Sequence, residues 1–118
     1  MFRWLPLALS LAFGLLVAHS ASAMSLRELR TLEKNEKPGD VYALYYLVGV
    51  MEGTLESHAK AVRMGAKPSI CLLGRRLEPR MARELFDSEL RRQADLYEAD
   101  MPAQLVMVNA LATVYLCN

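Results

Sequence analysis

Apolar positions along the chain follow two patterns. From residue 5 to residue 18 they run almost without a break (LPLALSLAFGLLVA), whereas beyond residue 25 they recur every three or four positions, the period of a helix that buries one face. Ser25-Leu26-Arg27-Glu28 has the spacing of a capping box and predicts a short helix to about Asn35. Lys37-Pro38-Gly39 breaks it. Asp40 is a candidate N-cap for a longer helix from Val41 to about Met64, closed by Gly65. Its stripe is Leu44, Leu47, Val48, Met51, Leu55, Ala59 and Val62. Charges begin only at Glu52, so the first half is apolar nearly all round and is expected at the centre of the fold.

Residues 65–78, GAKPSICLLGRRLE, keep no period and predict the longest irregular segment. A third helix is expected from Pro79 to about Tyr97. Ala82, Leu85, Phe86, Leu90, Ala94 and Tyr97 form its inward face, and charges of alternating sign form its outward one. Asp100-Met101-Pro102 opens a last helix, Ala103 to about Leu116, apolar nearly all round and expected to be the buried one. The pattern as a whole predicts an all-α fold, a small bundle of about four helices.

The apolar run at residues 5–18 is no part of that bundle. A short basic start (Phe2-Arg3-Trp4), 14 apolar-run residues and the small-x-small triplet Ala21-Ser22-Ala23 read as a secretory signal peptide over residues 1–23. The run falls short of the ~20 residues that a helix needs to span a bilayer. The remaining 95 residues, 24–118, suffice for a single domain. Arg3 is the only basic residue of the leader, so 13 of the 14 Lys and Arg remain against 13 Asp and Glu. A neutral balance excludes a global bias toward nucleic acid or anionic lipid, and contact with the membrane is expected only through the leader during export.

Export changes the reading of the two cysteines. In an oxidising compartment they most simply form one disulfide, Cys71 to Cys117, stapling the bundle. A redox-active or metal-binding pair is disfavoured by the absence of Cys-x-x-Cys and by a single histidine, His58, after the leader.

Three further features carry candidate chemistry. Gly49 and Gly53 have the GxxxG spacing that lets helices approach closely, and each costs about 1 kcal/mol in a helix interior relative to alanine. With Tyr46 they are read as helix-packing positions, where a second helix of the domain or of a dimer mate crosses, with Ala110 and Ala112 as counterparts; the other reading is a surface where a partner's backbone docks. His58 has no sequence-local partners that complete a catalytic set, so it reads as a surface histidine, and the chain is not expected to be an enzyme or to need a cofactor or metal. Arg75, Arg76, Arg80 and Arg83 cluster at the start of the third helix, where they could grip an anion or be neutralised by Glu78, Glu84 and Asp87. Leu72, Leu73, Arg75 and Arg76 on the cystine-fixed segment form a candidate partner-binding loop; otherwise the two leucines fold inward.

Tyr46-Leu47-Val48-Gly49-Val50 inside a helix, Ile70-Cys71-Leu72 after a loop, and Leu111-Ala112-Thr113-Val114-Tyr115-Leu116-Cys117 closing the chain are similar to the Rap/Tai family of small exported immunity proteins. The resemblance spans about residues 40–117. It implies an all-helical domain with a structural Gly49 and a Cys71–Cys117 disulfide. It also implies a periplasmic protein that binds and inhibits a cognate peptidoglycan amidase delivered by type VI secretion, occluding its active site, with a homodimer as a further state. Many members have a cysteine where Ala43 stands and a proline soon after the middle cysteine, where Leu72-Leu73-Gly74 stands here. The expected function is therefore amidase inhibition by binding alone. The alternative is a small periplasmic helical chaperone or envelope-stress protein that exposes apolar surface when Glu84, Asp87 and Glu89 are protonated, or a family member of unassigned role.

Overall fold

A computed structural model describes residues 23–35 and 37–118, so the expected leader lies, but for Ala23, outside the described residues. Four helices follow in order: α1 (Leu26–Asn35), α2 (Gly39–Arg63), α3 (Met81–Arg92) and α4 (Ala103–Val114). The described residues form an all-α bundle with no strands, only a single bridge between Ser25 and Pro102. Helix α2 packs against each of the other three, as its apolar first half leads one to expect.

Helix α1 begins where the capping box places it. The Ser25 N–H donates to Glu28 Oε2 at 2.7 Å and the Glu28 N–H donates to Ser25 Oγ at 3.2 Å. The Ser25 amide first, and then the Ser25 hydroxyl, hold the Glu28 carboxyl below its ordinary value. Two more amides at this helix start, those of Leu26 and Arg27, donate to the carbonyls of Met101 and Ala99 at 3.0 and 2.9 Å. The Ala103 N–H returns the tie by donating to the Met24 carbonyl at 2.9 Å. The starts of α1 and α4 thus satisfy one another's orphan groups, while Leu26 and Leu29 enter the core.

Asp40 does not cap α2. The helix opens two residues earlier, at Gly39, with Pro38 at the cap position and Asp40 in the first turn, where its charge still meets the positive end of the helix dipole. At the other end the Gly65 N–H bonds to the Val62 carbonyl (3.0 Å) and the Ala66 N–H to the Ala61 carbonyl (2.9 Å). With Gly65 at φ +102° this is a Schellman stop. Ala43, Leu47 and Met51 form the buried line of α2, and Tyr42 and Tyr45 are exposed, so its apolar girth is only partly covered.

The glycines expected to carry close packing do not pack against a second helix of the described domain. Gly49 and Gly53 are exposed, and a Cβ on either would meet nothing within 4 Å. Among the described residues no helix crosses there; Ala110 is buried elsewhere in the core and Ala112 half-buried. Close approach falls instead at Gly39, which is buried against α1 so tightly that a Cβ would overlap the Leu32 carbonyl. Tyr46 does pack, half-buried, against the core.

Helix α3 stops at Arg92, five residues before the expected end at Tyr97. Ala94 is exposed rather than inward. Tyr97 reaches the core from the turn that follows, and Glu89 takes the inward place on the last helical turn. The Tyr97 hydroxyl donates to Glu89 Oε1 at 2.6 Å and accepts from Asn109 Nδ2 at 2.9 Å, while Arg92 donates to Glu89 Oε2 at 2.7 Å. Burial, and then the bond to Glu89, push the Tyr97 phenol up and keep it a donor. A carboxylate so paired is stable in the interior where a lone one is not.

Helix α4 buries Ala103, Val106, Met107, Ala110 and Leu111, yet Leu105, Val108 and Val114 face outward. It is not enclosed on all sides. Cys71 and Cys117 form the expected disulfide, with Cα atoms 5.1 Å apart, and the Cys71 N–H donates to the Tyr115 carbonyl at 2.7 Å beside it.

Candidate functional site

The irregular segment after α2 is held at several points along its length. The Ser69 and Ile70 N–H groups both donate to His58 Nε2, at 3.0 and 3.2 Å. His58 is therefore a half-buried fastener between α2 and the segment, not a free surface histidine. Ile70 sinks into the core, and Cys71 is bound covalently and through its amide to the end of α4.

Beyond Cys71 the two leucines part company. Leu72 is half-buried on the core, whereas Leu73 is 81% exposed. The Arg75 N–H donates to the Leu72 carbonyl at 3.0 Å, and the two residues between have positive φ, 53° at Leu73 and 79° at Gly74. That is a tight turn of the primed kind, in which both central residues are left-handed. Glycine adopts this freely, but a leucine is forced into it at a cost of about 1–2 kcal/mol. Arg75 also donates from Nε to the Leu72 carbonyl (3.1 Å) and lies 5.1 Å from the centroid of the Tyr115 ring. The turn is thus fastened at both ends and its apolar tip projects into solvent.

The arginines do not assemble into one anion site. Arg75 folds back on the turn, Arg80 pairs with Glu78 at 2.6 Å, and Arg83 turns away to Glu33 of α1 at 2.5 Å and to Asp87 at 3.6 Å. Arg76 remains exposed beside the tip. Of the expected loop residues, Leu73 and Arg76 face outward, and Leu72 and Arg75 hold them there.

Two positions read separately in the sequence lie on one surface. Gly53 and His58 of α2 line an open groove with Ser69 and Ile70 of the loop and Gln104 and Val108 of α4. Tyr46 borders the same groove, and its phenol is pushed up by burial and then by the Glu28 charge. Among the described residues no cluster of three His, Cys, Asp or Glu could hold a metal ion, and no helix is long and apolar enough to cross a membrane.

Three features escaped the sequence reading: Gly39, the inward Glu89, and the His58 tie to the loop. Gly39 was hidden inside a breaker motif, and Glu89 was read only as one of several carboxylates open to protonation. His58 lies 11 and 12 residues from its partners, a separation without a sequence signature. Comparison with protein-family models, with curated proteins and with solved structures finds no match.

Proposed function

We propose that this chain is an exported binding module that uses the loop at residues 65–80 to recognise one folded protein, a peptidoglycan amidase, and inhibits it by occluding its cleft. The observation that carries the reading is Leu73, an exposed apolar side chain set on left-handed backbone at the tip of a fastened turn. It fills no space within its own chain. Backbone strain of this kind is kept where it aims a group at something else.

The arrangement suits inhibition by contact alone. A loop already fixed by a cystine and two backbone ties loses little entropy when it docks, and an exposed apolar tip beside an arginine offers surface that a partner can bury. Gly49 and Gly53, which no described residue of the chain covers, lie on α2 where a partner's backbone or a dimer mate could approach closely. The class of partner comes from the resemblance to the Rap/Tai immunity proteins, carried by Tyr46–Val50, Ile70–Leu72 and Leu111–Cys117. The leader pattern at residues 1–23 and the cystine accord with a periplasmic setting.

The test is affinity capture. Tagged protein with its disulfide formed, incubated at neutral pH with extract of its own source, is expected to retain one dominant folded protein that hydrolyses peptidoglycan and loses that activity in the complex. A broad set of unfolded clients, or retention only after acidification, contradicts the reading and favours a chaperone.

A further inference from the structure

We propose that His58 is a proton-operated latch that positions the recognition loop: with Nε2 unprotonated it holds the Ser69 and Ile70 amides, and on protonation it releases them. Both bonds end on one lone pair, at 3.0 and 3.2 Å. An imidazolium carries a hydrogen on each ring nitrogen and accepts at neither. Protonation therefore turns the acceptor into a third donor facing two others. Imidazole is the side chain that makes this change between about pH 5 and pH 8.

Among the described residues that line the groove at His58, none is an acid that could serve the new charge as counterion. Thr54 and Ala61 of α2, Ser69 and Ile70 of the loop, and Gln104 and Val108 of α4 line the groove at His58. Tyr46 is the other titratable side chain lining it, and its raised phenol remains neutral. Neither α1 nor α3 contributes a residue to the lining. Lys67, the charged residue of the loop closest in sequence to the latch, has the wrong sign, and Glu56 is engaged with Arg63 at 3.3 Å.

The latch also sits where it matters. Ser69 and Ile70 lead directly into Cys71 and the Leu72–Arg75 turn. Released at Ser69 and Ile70, the segment stays tethered at Cys71 through the disulfide and the Tyr115 carbonyl. The stretch from Gly65 to Ile70 then loosens against α2 while Cys71 and the Leu72–Arg75 turn keep their own ties, so the base of the loop that carries Leu73 is held from one side only. That consequence rests on the reading of the loop as the recognition element; the latch itself does not.

Amide exchange of the purified, oxidised chain tests the latch without any partner. After correction for intrinsic rates, protection of Ser69 and Ile70 is expected to fall on the order of tenfold between about pH 7.5 and about pH 5. The fall should track the titration of the His58 ring while the Leu47 amide stays unchanged. His58→Gln supplies an acceptor oxygen that does not titrate, and should keep the protection and lose its pH dependence. Unchanged protection while the ring titrates, or the same pH dependence in His58→Gln, overturns the latch. If the amides respond but the affinity of a captured amidase does not, the latch stands and the loop is not the binding element.

Discussion

Leucine is a poor occupant of the first central position in a turn with two positive φ angles, where Asn, Asp or Gly is usual. Leu73 also covers nothing, so Leu73→Asn is expected to stabilise the isolated chain by about 0.5–1 kcal/mol. In a domain of this size that appears as a rise in melting temperature of about 2–6 °C. The glycines give the converse test, because one substitution should have opposite signs at two sites. Gly39→Ala forces a methyl into the Leu32 carbonyl and is expected to cost about 2 kcal/mol or more. Gly49→Ala adds a methyl to an open helix face and should gain about 1 kcal/mol. Urea denaturation midpoints of the two variants, read against the parent, check both. These residues show where sequence reasoning reached its limit: GxxxG spacing identifies a smooth helix face, and only the fold says whether another helix lies on it.

The helices themselves were legible to the extent that local chemistry sets them. The capping box at Ser25 and the glycine stop at Gly65 act through bonds within a few residues, and both form as the sequence predicts. The end of α3 is different, since it is fixed by the Tyr97 hydroxyl, which donates to Glu89 and accepts from Asn109, a tertiary contact that overrides helical period. The same reason explains the outward Leu105, Val108 and Val114 of α4, whose apolar girth suggested full burial. At the start of α1 a pH effect follows. Glu28 accepts the Ser25 amide and hydroxyl-side bonds as a carboxylate, so its folded value lies below the ordinary 4.5. A depressed acid contributes stability above its unfolded value, and that contribution disappears as pH falls through the lower folded one. Corrected for intrinsic rates, protection of the Ser25 amide should therefore fall as pH drops below about 4.5, and Glu28→Ala should show the lower protection already at neutral pH.

For the whole molecule, the cystine joins the structural and functional readings. It closes a span of 46 residues between the loop and the end of α4, for which chain entropy gives roughly 4 kcal/mol of stabilisation. The Cys71→Ser, Cys117→Ser double variant should keep its helical circular-dichroism signal at low temperature and unfold at a much lower denaturant concentration. We propose that the fixed tip at Leu73, rather than the scaffold alone, recognises an amidase, and a titration of the captured amidase, acting on purified peptidoglycan, with the parent protein and with Leu73→Asn decides it. The parent is expected to abolish hydrolysis near one equivalent and the more stable Leu73→Asn protein to inhibit at least tenfold less well. Equal inhibition by the two proteins, or none by the parent, would contradict it.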